Sequence, residues 1–135
     1  HKLLLQIEEE LMQGLKLPYR VLELCTGDLS QPSATTFDIE AWMPGQNEGR
    51  GEYRETHSTS NTTDYQAHRL NIRYHTFEAK SQKQKAEFVH MLNGTAFAMG
   101  RMIVSILENY QQEDGMIMLP EVLQKYMQGI DTIRR

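Results

Sequence analysis

The sequence has little cysteine and no long apolar run. Its 135 residues include one cysteine, Cys25, which has no partner in the chain for a disulfide. A secreted scaffold held together by disulfide bonds is therefore excluded. No run approaches the roughly 20 apolar residues of a membrane-spanning helix, so we expect neither a membrane protein nor a membrane partner. Residues 1–6 are too few for a signal peptide and lead directly into acidic residues.

Basic residues are also in the minority. Fourteen Lys and Arg residues stand against eighteen Asp and Glu residues, which gives a net charge of −4. Tight non-specific binding to DNA or RNA needs a basic surface, so we do not expect it of this chain alone. Hydrophobic residues make up 39% and charged residues 24%, as in an ordinary globular domain. The length fits a single domain with its own core.

Apolar residues recur at helical spacing in residues 2–16 and 97–112, which predicts two amphipathic helices. In the second segment the apolar stripe is unbroken, and a polar stripe runs beside it. We expect the apolar stripe to be buried against the sheet. Pro120 opens a last short helix that ends near Met127. The apolar stripe consists of Met99, Met102, Ile103, Ile106, Leu107 and Tyr110, and the polar stripe of Arg101, Ser105 and Glu108.

Strand-forming residues occupy most of the chain between these helices. The Gly-rich residues 44–51 predict a turn, so the strands on either side should form an antiparallel hairpin. The polar residues 77–85 predict an exposed loop, and residues 65–69 a short helical turn. The order of elements predicts an α+β fold, with an antiparallel sheet flanked by helices. The predicted strands are residues 19–26, 36–43, 53–60, 70–75 and 86–95.

Residues 36–43 alternate in character, as a strand with two different faces does. One face is apolar and the other carries two acidic side chains. The first face has Phe37, Ile39, Ala41 and Met43, and the second has Asp38, Glu40 and Trp42.

Several common sites are missing from the sequence. It contains no Gly-rich phosphate loop followed by Lys and Ser or Thr, and no Gly-x-Ser-x-Gly elbow. The histidines lack the spacing of zinc ligands, and Cys25 has no cysteine partner. P-loop proteins, hydrolases with a serine elbow and structural zinc proteins are therefore disfavoured.

Two segments are unusual for plain structure. Residues 53–61 form a strand so polar that the ordinary interpretation is a solvent-facing surface. Asn93 and Thr95 share one face of a later strand, where a capping network would also explain them. Arg101 then lies on the first turn of a helix, where the helix dipole disfavours a cation unless an anion is near. A carboxylate on a strand and an arginine on a helix suit a polyphosphate with a divalent ion.

Long runs of the sequence resemble the seryl-tRNA synthetase family. Examples are Leu-Pro-Tyr-Arg at 17–20, Phe-Asp-Ile-Glu-Ala-Trp-Met-Pro at 37–44 and Leu-Asn-Gly-Thr at 92–95. The helix with Gly100 and Arg101 is similar to the third signature motif of class II aminoacyl-tRNA synthetases. The resemblance covers essentially the whole chain. Its pieces lie in residues 17–28, 37–44, 53–61, 64–74, 92–112 and 120–127, with the third signature motif around 93–112.

The resemblance implies an activity and its partners. Members of this family are ATP-dependent, AMP-forming ligases that activate serine to seryl-adenylate and transfer it to the serine tRNA. They are homodimers, and an N-terminal coiled-coil arm grips the tRNA. Serine, ATP and the serine tRNA are therefore the implied partners, and Mg²⁺ is the implied ion. The implied location is the cytoplasm or an organellar matrix.

The resemblance also implies roles for individual residues. Glu55 and Ser58 would hold the ATP-bound Mg²⁺, and Arg101 would contact the γ-phosphate. Asn93 and Thr95 would bind serine. The two catalytic candidates are Glu55 and Arg101. The residues implied to line the ATP site are Glu55, Thr56, His57, Ser58 and Arg101.

Glu55 and Ser58 are three residues apart, so a regular strand would point them to opposite faces. If both reach one ion, the strand must twist or bulge between them, or a water must bridge. This requirement is a structural prediction of its own.

The chain also departs from the family pattern. His68 replaces the arginine usual in the Gln-Ala-Arg-Arg run, and Thr35 stands where many members have a basic residue. Candidates for the first two signature motifs, for the loop and glutamate that complete the serine pocket, and for the coiled-coil arm are missing. The sequence therefore predicts the C-terminal portion of a class II catalytic domain over residues 1–135, inactive alone.

Two other functions remain open at this point. A paralogue could keep the fold and lose aminoacylation, and a related ligase could load an activated amino acid onto a carrier protein. The sequence retains all five residues to which the resemblance assigns a ligand. This retention argues against a paralogue that has lost the activity. The five are Glu55, Ser58, Asn93, Thr95 and Arg101. An N-terminal heptad arm in the full-length sequence would favour the synthetase, and its absence beside an intact second motif would favour the carrier ligase.

Overall fold

The computed structural model describes residues 1–78 and 83–134. Within these ranges the chain forms five helices and eight strands, none of the helices being long and apolar enough to cross a membrane. In chain order they are α1 Lys2–Gly14, β1 Tyr19–Glu23, β2 Thr35–Met43, α2 Gln46–Gly49, β3 Glu52–Asn61, α3 Tyr65–Leu70, β4 Arg73–Glu78, β5 Lys83–Phe88, β6 Leu92–Thr95, α4 Met99–Tyr110, β7 Ile117–Met118, α5 Glu121–Gln124 and β8 Thr132–Ile133.

The predicted hairpin and the α+β class are both confirmed. Strands β1, β2, β3 and β6 form a four-stranded sheet in that order, and every pair is antiparallel. The turn between β2 and β3 is tight, because Asn47 and Glu48 both take left-handed backbone angles. Gly51 completes it with φ near +80°, and a side chain there would collide with the Trp42 ring.

The predicted strand over residues 86–95 is wrong, because this stretch belongs to two sheets. β5 pairs with β4 in a separate ribbon, and β6 pairs with β3 in the main sheet. Two backbone hydrogen bonds redirect the chain between them: the Thr62 N–H donates to the Met91 carbonyl, and the Met91 N–H donates to the Thr63 carbonyl. β5 begins inside the polar segment predicted as a loop, since pairing with β4 outweighs the weak strand preference of Lys and Gln. The remainder of that loop, residues 79–82, lies outside the described residues.

Helices α1 and α4 cover one face of the main sheet. The apolar face predicted for β2 is confirmed, because Ile39, Ala41 and Met43 are buried there. The Tyr110 hydroxyl donates a hydrogen bond of 2.6 Å to the Leu15 carbonyl, which ties α4 to the end of α1. The buried core cluster consists of Met12, Leu15, Leu17, Ile39, Ala41 and Met102.

The expected burial of the whole apolar stripe on α4 is wrong. Met102 is buried and Ile106 packs against the core, whereas Met99 and Ile103 are 64% and 50% exposed. The stripe spans more of the helix circumference than the sheet can cover, and its outer side lines a groove of about 470 Å³ between α1, α4 and α5. Conversely, Ser105 of the polar stripe is fully buried.

Candidate functional site

An extra residue in β3 organises the polar face of the sheet. Ile39 pairs with His57, but the next residue of β2, Glu40, pairs with Glu55, which leaves Thr56 unmatched in the ladder. Such a bulge resets the alternation of side chains. Glu55 and Ser58 therefore face the same side of the sheet, and a bulge, one of the three arrangements that would let both reach one ion, lies between them.

The same face carries the two residues predicted to bind serine. In the antiparallel register of β3 and β6, Thr95 lies opposite Ser58 and Asn93 lies opposite Ser60. Directly paired residues project to the same side. The Ser60 and Thr36 hydroxyls are 2.8 Å apart and hydrogen bonded, which links this face to β2.

Arg101 reaches the site from the first turn of α4. Its Nη1 donates a hydrogen bond of 3.1 Å to Glu55 Oε2, and the two side chains are 43% and 41% exposed. The strand carboxylate and the helix arginine that the sequence singled out for a metal and a phosphate thus form a direct ion pair with each other. Half-exposed ion pairs contribute little net stability, so this contact can be exchanged for a ligand.

Asp38 is a member of this face that the sequence argument left out. Burial raises the pKa of Asp38, the Ser58 hydroxyl lowers it, and the neighbouring Glu55 and Glu40 raise it. Its Oδ1 is buried and accepts no hydrogen bond from the described part of the chain. The signal was available, because the alternation of β2 already assigns Asp38 and Glu40 to the polar face.

The side chains of Thr56 and His57 point away from this face. Both are fully buried, and the Thr56 hydroxyl donates a hydrogen bond of 3.2 Å to the Ile39 carbonyl. The His57 ring packs against Phe97 with 5.1 Å between centroids, and burial lowers the pKa of His57 to about 4. The prediction that residues 55–58 line the ATP site stays a prediction, in which Thr56 and His57 would contribute through their backbone.

The donor set fits a phosphate-bound Mg²⁺ and not a protein-enclosed metal. Across residues 1–78 and 83–134, no group of three or more His, Cys, Asp or Glu residues is arranged to hold an ion. Glu55 and Ser58 supply hard oxygen ligands from one face. Mg²⁺ bound to nucleotides commonly uses one or two protein oxygens, and the phosphates and waters supply the others.

These features define the catalytic core of a class II tRNA synthetase. The family model described as "tRNA synthetase class II core domain (G, H, P, S and T)" matches residues 3–110. The chain belongs to this family.

Curated relatives narrow the similarity to the serine enzymes. The serine–tRNA ligase of Dictyoglomus thermophilum is 53% identical over 134 residues, which are 99% of this chain and 29% of that protein. The serine–tRNA ligase of Thermodesulfovibrio yellowstonii is 56% identical over 126 residues, which are 93% of this chain and 28% of that protein. The chain thus spans less than a third of the length of these relatives.

Solved structures agree in fold. The seryl-tRNA synthetase of Pyrococcus horikoshii, crystallised with ATP, superposes with a TM-score of 0.86 at 49% identity, covering 98% of this chain and 28% of that one. The cytoplasmic serine–tRNA ligase of Naegleria fowleri, in complex with AMP, superposes with a TM-score of 0.85 at 43% identity. The match covers 98% of this chain and 26% of that one. Both are therefore similar to this chain over nearly its whole length.

Proposed function

We propose that this chain is the C-terminal portion of the catalytic domain of a seryl-tRNA synthetase and supplies part of its ATP, Mg²⁺ and serine sites. The observation that carries the proposal is the bulge at Thr56, which brings Glu55 and Ser58 to the face that also carries Asn93 and Thr95. The serine–tRNA ligases among its relatives, and the ATP and AMP complexes of two of its structural neighbours, support the same function.

The proposed chemistry is adenylate formation followed by transfer to tRNA. The serine carboxylate attacks the α-phosphorus of ATP, a new P–O bond forms, and pyrophosphate leaves with the electrons of the broken bond. Such a reaction asks the protein mainly for positioning and charge neutralisation. Bound Mg²⁺ would supply charge neutralisation at the phosphate oxygens.

Each residue of the site has a distinct proposed task. Glu55 and Ser58 would hold Mg²⁺ through oxygen atoms. Arg101 would leave Glu55 when ATP binds and donate hydrogen bonds to the outer phosphate. Asn93 and Thr95 would hold serine beside the α-phosphate and select its hydroxyl, because a polar pocket rejects an analogue that leaves its groups unpaired.

The wider setting is proposed on the same basis. The partners are serine, ATP and the serine tRNA, the last held mainly by an N-terminal arm outside these 135 residues. The enzyme would act as a homodimer in the cytoplasm or an organellar matrix. The two earlier signature motifs also lie outside these residues, so the 135-residue portion alone would not aminoacylate.

The test is pyrophosphate exchange by a full-length protein that carries this chain. We expect exchange that depends on serine and is far weaker with alanine or threonine, followed by charging of the serine tRNA. A protein with no exchange would be the binding paralogue. A protein with exchange that loads a carrier protein and not tRNA would be the alternative ligase. Either result would overturn the proposal.

A further inference from the structure

Glu8 is a buried carboxyl that the proposed chemistry does not use. It lies on α1 and is 4% exposed, whereas Glu10, two residues later, faces solvent. Glu8 Oε2 is buried and makes no hydrogen bond with any described residue. A carboxyl in such a place costs free energy when charged, so its presence calls for a specific reason.

This carboxyl lies against the strand that carries the proposed serine residues. A Cβ built on Gly94 would lie 3.1 Å from Glu8 Oε1 and 3.4 Å from the Thr59 hydroxyl oxygen. Thr59 in turn donates a hydrogen bond of 3.1 Å to the Asn93 carbonyl. Because Gly94 has no side chain, the Glu8 carboxyl can pack directly against β6. It does so on the face of the sheet that the helices cover, which is opposite to the face of Asn93 and Thr95.

The charge state of Glu8 changes close to neutral pH. Burial, and then the nearby negative charge of Asp38, raise the pKa of Glu8 to about 7. From β3, His57 lies on the same side of the sheet and is uncharged at neutral pH because burial lowers its pKa to about 4. Strand β6 contributes no titratable side chain. The His1 ring bonds the Thr59 carbonyl at 3.0 Å, and Arg101 of α4 pairs with Glu55 on the opposite face of the sheet.

A neutral and an ionised Glu8 act differently on β6. The protonated carboxyl carries an O–H that can donate to an oxygen of the Thr59–Gly94 contact. The ionised carboxyl can only accept, and the Thr59 hydroxyl beside Gly94 already donates its hydrogen to the Asn93 carbonyl, so it offers the carboxylate no donor. Ionisation therefore turns a packing contact beneath β6 into a repulsive one.

We propose that Glu8 is a positioning residue for β6, which in its neutral form supports Gly94 from below and so holds Asn93 and Thr95 in place for serine. The inference rests on the proposed function for the identity of the ligand. It adds a control of serine binding from the opposite face of the sheet, through a residue that touches neither substrate.

The first test compares substrate dependence with pH in the full-length enzyme. In the unaltered enzyme, the KM for serine should rise about three- to tenfold from about pH 6 to about pH 8.5, with no matching rise for ATP. Glu8→Gln, which is permanently neutral and of equal size, should keep the low serine KM across this range. The matched control is Glu10→Gln on the exposed side of the same helix, which should follow the unaltered enzyme.

A second measurement does not depend on serine at all. Hydrogen exchange of the β6 segment, relative to that of β4, should become faster with rising pH in the unaltered enzyme than in Glu8→Gln. If the enzyme ignores serine but shows this difference, the proposed function fails and the support of β6 by Glu8 stands. If serine is used but Glu8→Gln shares the pH dependence of the unaltered enzyme in both measurements, the inference is overturned.

The contact itself is tested by a double-mutant cycle. Gly94→Ala should raise the serine KM because the new Cβ crowds the Glu8 carboxyl and the Thr59 hydroxyl. In a Glu8→Ala background, the rise in the serine KM caused by Gly94→Ala should be smaller by a factor of at least about three, since one of the crowding groups is gone. Additive effects would contradict the contact between Glu8 and Gly94.

Discussion

Arg101 and Glu55, 46 positions apart in the chain, form an ion pair in which Nη1 and Oε2 are 3.1 Å apart. One is the proposed phosphate ligand and the other the proposed metal ligand. Each of the two side chains neutralises the charge of the other, and in the proposed function they would exchange this contact for ATP and its ion. The site is thereby held ready at little cost in stability, because the pair is half exposed.

Arg101→Ala should act on ATP and leave serine binding nearly unchanged. Loss of one preorganised donor to the outer phosphate should raise the KM for ATP or lower kcat, by about 2–4 kcal/mol in transition-state terms. Pyrophosphate exchange with each substrate varied measures this. The matched control is Arg54→Ala, because Arg54 precedes Glu55 in β3 but lies opposite Ala41 of the other face, and its Nη1 pairs weakly with Glu52 at 3.5 Å. A change confined to the serine dependence would contradict the role given to Arg101.

Thr95→Val should act on serine instead. The substitution keeps the shape of the side chain and removes its hydroxyl, so the pocket loses a partner for a polar substrate. We expect weaker use of serine and poorer discrimination against alanine, with the KM for ATP unchanged. Thr76→Val, in the separate β4–β5 ribbon, is the control. An effect of Thr95→Val on ATP alone would show that the serine site is wrongly assigned.

Glu8→Gln should stabilise the protein at alkaline pH and not at acid pH. Below about pH 4.5, the ordinary pKa, Glu8 is protonated in both folded and unfolded states and carries no penalty. As the pH rises from there to the folded pKa of about 7, the unfolded chain loses a proton that the folded chain keeps, so stability falls. Above pH 7 the full penalty is present, about 3 kcal/mol as an upper bound. Thermal melts of the full-length protein at acid and alkaline pH should show a higher Tm for Glu8→Gln only at the alkaline end, and equal shifts at both would refute the titration.

Met102→Ala should be more destabilising than truncation of any other apolar residue on α4. Met102 is 3% exposed within the core cluster, so its loss leaves a cavity and should cost about 2–5 kcal/mol. Met127→Ala, at a side chain that is 40% exposed, should cost little. Circular-dichroism melts of the two variants measure the difference. Equal melting temperatures would mean that the core is placed incorrectly.

The 135-residue chain by itself should self-associate and lack serine-dependent exchange. The groove between α1, α4 and α5 exposes apolar side chains, among them Ile103 and Tyr126, which are 50% and 73% exposed. Exposed apolar patches of this kind drive association. Sedimentation velocity and an exchange assay on the isolated chain provide the measurements. A monomer with the exchange rate of a full enzyme would contradict both expectations.

Local patterns predicted much of this fold because the relevant signals are local. The helices, the hairpin at 44–51 and the two faces of β2 follow from periodicity and turn residues. The boundary between β5 and β6 does not, because it depends on which strand each segment pairs with. The polar Lys-Gln-Lys run at 83–85 is typical of a loop, and only its pairing with β4 makes it a strand.

The features of the site also divide into those that the sequence predicted and those that depend on how distant segments pack. Glu55, Ser58, Asn93 and Thr95 share one face of the sheet. The parity of Glu55 and Ser58 had left a twist, a bulge or a bridging water as the ways for both to reach one ion. The inward direction of Thr56 and His57 was missed, since it follows from the position of the bulge and not from residue type. Glu8 was missed because its burial results from packing between α1 and β6, and on a helix wheel it is one more glutamate beside Glu9 and Glu10.

The bulge at Thr56 makes the pairing of β3 with β2, and not residue type, the feature that sets which way Glu55 faces. Removal of Thr56 alone would leave a regular ladder in which Glu55 still lies opposite Glu40 and Ser58 opposite Asp38, so both side chains would keep their face. A slip that placed Thr56 opposite Glu40 would instead shift every residue on the Glu52 side of the bulge by one position and carry the Glu55 carboxylate into the apolar layer. In this strand, therefore, the register against β2 constrains the two proposed ligands more tightly than the identity of the residue in the bulge.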